Sequence, residues 1–180
     1  MNANQCVRSS MGTGWLISED IFVTAGHCVY DWADDGTGFG RVSLMKCYIG
    51  YYGKASVSSP TVQSRVAKTV ATTRGWLTSK DNKNRDVAFV RVDRPFTGDL
   101  RVFSYVKATP EQGTEQIGVV GYPADQRITD DEGQEERGAK MYELFQGVKY
   151  DRSSDKLHML NYKISTFGGM CLRSCFTCLI

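Results

Sequence analysis

An all-β fold, a sandwich or a barrel, is what the sequence predicts. Short apolar runs rich in Val, Ile and Tyr recur along the chain. Clusters of Gly, Asp, Ser and Asn stand between them, as turns require. No long stretch carries apolar residues at helical spacing.

The elements follow in order. Trp15-Leu16-Ile17 and Ile21-Phe22-Val23 are two short strands split by the polar turn Ser18-Glu19-Asp20. Val42 to Ile49, Val62 to Val70, Val87 to Val92 and Ile117 to Val120 are the next candidates. Met141 to Tyr150 and Leu157 to Ser165 read as one late hairpin around Asp151-Arg152-Ser153-Ser154-Asp155. Asp31 to Gly40, with three Asp and three Gly, reads as a surface loop. Thr129 to Gly138 reads as another, carrying Asp130, Asp131, Glu132, Glu135 and Glu136. Hard cations favour carboxylates, but the spacing is not that of a calcium loop, and a solvated loop is the simpler reading. A segment at 94–115, rich in Arg, Pro, Thr and Gly, is a candidate linker between two halves.

Composition narrows the function. The 180 residues are 41% apolar and 23% charged, ordinary for a globular domain. Lys and Arg number 22 against 20 Asp and Glu, a net charge of +2 that gives no support to a nucleic-acid binder. No apolar run approaches the roughly 20 residues of a membrane-spanning helix. Met1 to Met11 holds no apolar segment of a secretory signal. No phosphate loop or dinucleotide fingerprint is present, and no cofactor is expected.

The chain has two histidines. His27 lies in Thr24-Ala25-Gly26-His27-Cys28, directly after a strand, where a turn of small residues can lift a side chain into a cleft. An imidazole there suits general-base work, since it titrates near neutral pH. Fifty-nine residues on comes Asn84-Arg85-Asp86-Val87-Ala88-Phe89-Val90. An aspartate opening an apolar strand is drawn toward the core and needs a partner, and a histidine that must hold one tautomer is such a partner. Taken singly, His27 could equally be a packed or merely exposed histidine, and Asp86 a turn residue.

Together the two motifs resemble the His and Asp motifs of trypsin-like serine proteases. Gly12-Thr13-Gly14-Trp15-Leu16-Ile17, Gly121-Tyr122-Pro123 and Ile164-Ser165-Thr166-Phe167-Gly168-Gly169 are similar to the glutamyl-endopeptidase branch. The resemblance spans residues 12–170. It implies two antiparallel β-barrels with the active site between them: a first barrel at 12–93, the linker at 94–115, and part of a second barrel at 116–170. It further implies hydrolysis of a polypeptide by acyl transfer, with cleavage after acidic residues. His27 would take the nucleophile's proton and return it to the leaving amine, while Asp86 holds the ring. Gly169 would give one N–H of an oxyanion hole. Thr166 matches a pocket-lining threonine; His158, in Leu157-His158-Met159-Leu160, is a second candidate for substrate contact, a plain strand position being the simpler reading. The resemblance also implies a secreted protein, acting as a monomer.

The pattern breaks after the glycine pair. The family continues as x-Ser-Gly-Ser-Pro, whereas this chain reads Met170-Cys171-Leu172-Arg173-Ser174-Cys175. Cys171 stands where the serine belongs and Leu172 where a glycine belongs. Three readings compete: residues 171–180 are not native protease sequence, and the second barrel is incomplete; Cys171 is a thiolate nucleophile; or the protein is a non-catalytic relative that binds peptides or a protein partner in the cleft. Elsewhere, a disulfide between Cys28 and Cys47 is expected to tie the His27 loop to the next strand, the alternative being two buried thiols. Cys171, Cys175 and Cys178 have metal-like spacing, with Cys6 or His158 as a conceivable fourth ligand, but a tail without a site is the simpler reading and no metal is expected.

Overall fold

The computed structural model describes residues 11–32, 40–104, 112–123, 127–129, 135–152 and 160–162. Among them every strand pairing is antiparallel. Five strands, β1 (Trp15–Ser18), β2 (Ile21–Thr24), β3 (Lys46–Ile49), β4 (Gln63–Thr72) and β5 (Ala88–Val92), form one sheet in the order β1-β2-β5-β4-β3. A second sheet joins β6 (Gln112–Gly121), β9 (Tyr142–Arg152) and β10 (Leu160–Tyr162) in the order β10-β9-β6. Between them in sequence, β7 (Arg127–Thr129) and β8 (Glu135–Arg137) pair as a small ribbon.

Alternation explains the first sheet. In β5, Ala88, Val90 and Val92 are buried while Phe89 and Arg91 face out. They join Leu16, Phe22, Val29 and Phe96 in one apolar core. Fully burying a Val, Leu or Phe side chain stabilises by roughly 1.5–3 kcal/mol, so this cluster is what holds the strands in register.

Several expected boundaries move. Of Val42 to Ile49 only Lys46–Ile49 is strand, because Val42 donates its N–H to the Val29 carbonyl at 2.9 Å instead of joining the ladder. Strand β6 starts at Gln112, within the 94–115 segment, and reaches well before the apolar Ile117. Its polar first half is strand because β9 supplies a partner for every rung from Gln112↔Asp151 to Gly121↔Tyr142. The acidic segment Thr129 to Gly138 is not simply a loop, since Thr129↔Glu135 and Ile128↔Glu136 are rungs of the β7–β8 ribbon. The late hairpin forms through Arg152↔Leu160. No helix among the described residues is long and apolar enough to cross a membrane.

The expected disulfide is a correction. Cys28 and Cys47 are not bridged to each other. Cys47 lies on β3 and packs against the apolar core, whereas the Cys28 Sγ faces Gly12. Burial pushes the Cys47 thiol up to about 12, and the Asp93 carboxylate adds to the shift. In the fold the thiol is therefore neutral, while in the unfolded chain it ionises near 9.0. Its contribution to stability is complete below that lower value and is lost as pH rises toward the upper one. We expect Cys47 to resist iodoacetamide at pH 8 until denaturant is added, as counted by mass. We also expect Cys47→Ala to flatten the alkaline loss of stability.

A different bridge fits the geometry. A Cβ built on Gly12 would stand 3.0 Å from the Cys28 Sγ. That is the spacing a disulfide needs, since an S–S bond of about 2.05 Å places each Cβ about 3 Å from the far sulfur. Gly12→Cys is expected to oxidise, joining the introduced thiol to Cys28, seen as a loss of two mass units on non-reduced peptides. Closing so short a loop should raise stability by up to about 3 kcal/mol.

Candidate active site

Strand β2 ends at Thr24, and the chain turns at once. Ala25 is extended, and a single 3₁₀ turn follows over Gly26–Cys28. Its bonds are short-range: the Cys28 N–H donates to the Ala25 carbonyl at 3.1 Å and the Tyr30 N–H to the Gly26 carbonyl at 2.9 Å. This turn lifts His27 off the sheet, leaving its side chain 47% exposed. The second arm enters through another 3₁₀ turn, Lys83–Arg85, capped by Asp86. Strand β5 starts two residues later, and Thr24 pairs with Ala88. One rung of the sheet is thus the departure point of both arms.

The two arms meet. The His27 Nδ1 lies 2.8 Å from Asp86 Oδ2, and the His27 backbone N–H donates to Asp86 Oδ1 at 2.7 Å. The carboxylate is 9% exposed, so both contacts act in a partly dry setting. A carboxylate only accepts, so Nδ1 carries the proton and the neutral ring keeps its lone pair at Nε2. That is the tautomer a general base requires.

Gly26 is needed for close approach. A Cβ there would lie 2.8 Å from Trp76 Cδ1 and 3.0 Å from Asp86 Oδ1. Trp76 belongs to α1 (Arg74–Thr78), a single turn whose N-cap Thr73 accepts the Trp76 N–H at 3.1 Å. The indole is 6% exposed and meets the His27 ring edge-on, with centroids 6.5 Å apart. Its Nε1 donates to the Tyr30 carbonyl, and the Trp76 carbonyl accepts from Trp32 Nε1, both at 3.0 Å. Threonines grip the chain on either side of Asp86: Thr73 Oγ1 donates to the Arg85 carbonyl at 2.6 Å and Thr72 Oγ1 to the Val87 carbonyl at 2.7 Å.

The structure therefore brings together His27 and Asp86. Cys171, Gly169, Thr166 and His158 lie outside the described residues, as do Cys6, Cys175 and Cys178. Among the described residues no group of three or more His, Cys, Asp or Glu side chains could hold a metal ion. Sequence reasoning missed Trp76 and the two threonines. A threonine one residue before a helical turn was a legible cap signal, but nothing in the sequence told that the indole would pack on the turn below His27.

Comparison with known proteins places these features. Residues 12–170 match the family described as the trypsin-like peptidase domain. The glutamyl endopeptidase of Bacillus licheniformis is 26% identical over 171 residues, covering 91% of this chain and 45% of that protein. A solved structure of a Glu endopeptidase in complex with MPD matches with a TM-score of 0.59 at 22% identity, covering 79% of this chain and 58% of that one. The chain thus spans about half the length of the proteins it resembles. The structural match shows the fold: all-β, built from antiparallel sheets in the trypsin-like manner.

Proposed function

The chain belongs to the trypsin-like peptidase family, and from that premise we propose that it is a serine-type endopeptidase scaffold whose chemistry is acyl transfer from a peptide bond. His27 acts as general base and then general acid, and Asp86 as the carboxylate that orients its ring. Gly169 supplies an oxyanion N–H, and Thr166 and His158 contact the substrate. Cleavage after acidic residues is the specificity that the similar glutamyl endopeptidase suggests. Secretion and a monomeric state belong to the same proposal.

The observation that carries this reading is the doubly bonded His27–Asp86 pair. A histidine that were merely exposed would have no use for a carboxylate bound at both its ring and its backbone.

The chain as it stands has Cys171 and Leu172 where the family has Ser and Gly. We therefore propose that this form is nearly or wholly inactive toward peptides. A serine-directed fluorophosphonate tests the reading. The native chain stays unlabelled, while Cys171→Ser combined with Leu172→Gly takes the label at residue 171, and His27→Ala abolishes it. If the double variant stays silent while folded, the assignment of residue 171 to the nucleophile's place is wrong. The substitution at 171 also favours a second reading, a pseudoprotease that holds peptides in its cleft. Calorimetric binding of a glutamyl peptide without turnover would support it.

A further inference from the structure

Thr13 touches both sheets with two different groups. Its carbonyl accepts from Thr24 Oγ1 at 2.9 Å, and its hydroxyl oxygen accepts the Tyr122 N–H at 3.0 Å. Thr24 occupies the rung, opposite Ala88, from which the His27 and Asp86 arms depart. Tyr122 directly follows the last residue of β6, the strand that opens the second sheet. One residue outside both arms therefore bonds the root of the His27–Asp86 pair and the residue that follows the end of β6.

Tyr122 is gripped a second time, because its hydroxyl donates to the Tyr51 carbonyl at 2.9 Å and its ring stands edge-on to Tyr51 at 6.0 Å. Pro123 beside it is among the most deeply buried of the described residues. Among the described residues, Tyr122 thus ties the end of β6 to the first half of the chain through Thr13 and Tyr51, and Thr13 is the contact that continues toward His27.

A general base serves acyl transfer only while the turn that presents it keeps a fixed place relative to the rest of the cleft. We infer that Thr13 is a positioning residue: its hydroxyl registers the second sheet against the strand rung that carries His27 and Asp86. The inference rests on His27 being the base. The carbonyl contact would survive any side chain. The hydroxyl contact would not, and Thr13 is only 5% exposed, so water cannot readily replace the lost acceptor.

The test uses the full chain, isotope-labelled, and reads two signals by NMR: exchange of the Tyr122 amide, and the low-field Nδ1 proton that His27 shares with Asp86. Thr13→Val should speed Tyr122 amide exchange about tenfold and broaden or shift the His27 proton. Thr13→Ser keeps the hydroxyl and should restore both. If Thr13→Val does not fold, Thr13→Ala removes the same hydroxyl with less crowding and makes the same comparison. Unchanged signals in the hydroxyl-free variants would overturn the inference, as would a Ser variant behaving like Val, since volume and not the hydroxyl would then be at work. Faster Tyr122 exchange with an unmoved His27 proton would also overturn it, while leaving the peptidase reading intact. An inactive chain showing both shifts would leave this inference standing.

Discussion

Purified native chain is expected to release the chromophore from a glutamyl-peptide anilide no faster than the His27→Ala variant. The size of the missing effect is what makes the experiment decisive. Removing the nucleophile from a Ser-His-Asp arrangement slows turnover by on the order of 10⁶, about 8 kcal/mol of barrier. Binding and oxyanion contacts alone leave about 10³–10⁴ over water, too little to register in an ordinary assay. The His27–Asp86 pair is in place at 2.8 Å, yet a base without a nucleophile has no proton to take. Cys171 could stand in only as a thiolate. A free thiol is mostly protonated at neutral pH, and a catalytic one is lowered by an adjacent imidazolium. On the proposed assignment, Leu172 also puts a bulky side chain where a glycine is expected to follow the nucleophile. His27-dependent turnover that iodoacetamide erases would reverse the conclusion and make Cys171 the nucleophile. Turnover insensitive to His27→Ala would point to a contaminating enzyme.

The part of the site that could be read from the sequence is the part whose chemistry is local. Thr24-Ala25-Gly26-His27-Cys28 and Asp86-Val87-Ala88-Phe89 each announce a polar residue at a strand end; short apolar runs between turn clusters sufficed for the all-β class, and five short motifs in order for the family. Alternation made β5 legible, because one face of it meets the core. The polar half of β6 was hidden, because its partner β9 lies some thirty residues on and no local preference encodes that pairing. The Cys28–Cys47 bridge failed for the same reason. Spacing along the chain said nothing of which way each thiol faces, and Cys47 faces the core. Trp76 was invisible in a stronger sense. Apart from its cap Thr73, its partners Gly26, His27, Tyr30 and Trp32 are all more than forty residues away.

That hidden contact predicts a large stability effect. Trp76→Ala is expected to destabilise the chain by about 3–5 kcal/mol, the usual range for emptying a buried aromatic site, and so to lower the melting temperature by roughly 10 °C in a chain of this size. The indole fills the space under the Gly26 turn, supports the His27 ring edge, and ties α1 to the segment after His27 through the Tyr30 carbonyl. Removing it leaves that carbonyl without its indole donor and the turn without a floor. The low-field Nδ1 proton of His27 should broaden even at temperatures where the chain is still folded. Trp76→Phe, which keeps a ring but no N–H, should fall between. A double-mutant cycle separates packing from general loss of stability. In the native background Gly26→Ala drives a methyl against the indole at 2.8 Å. In the Trp76→Ala background that obstacle is gone, so Gly26→Ala should destabilise less, with a coupling of about 1 kcal/mol or more. Strict additivity would mean that the glycine is required only by Asp86 Oδ1, 3.0 Å from the same methyl, and that Trp76 stabilises the fold without shaping the turn that presents His27.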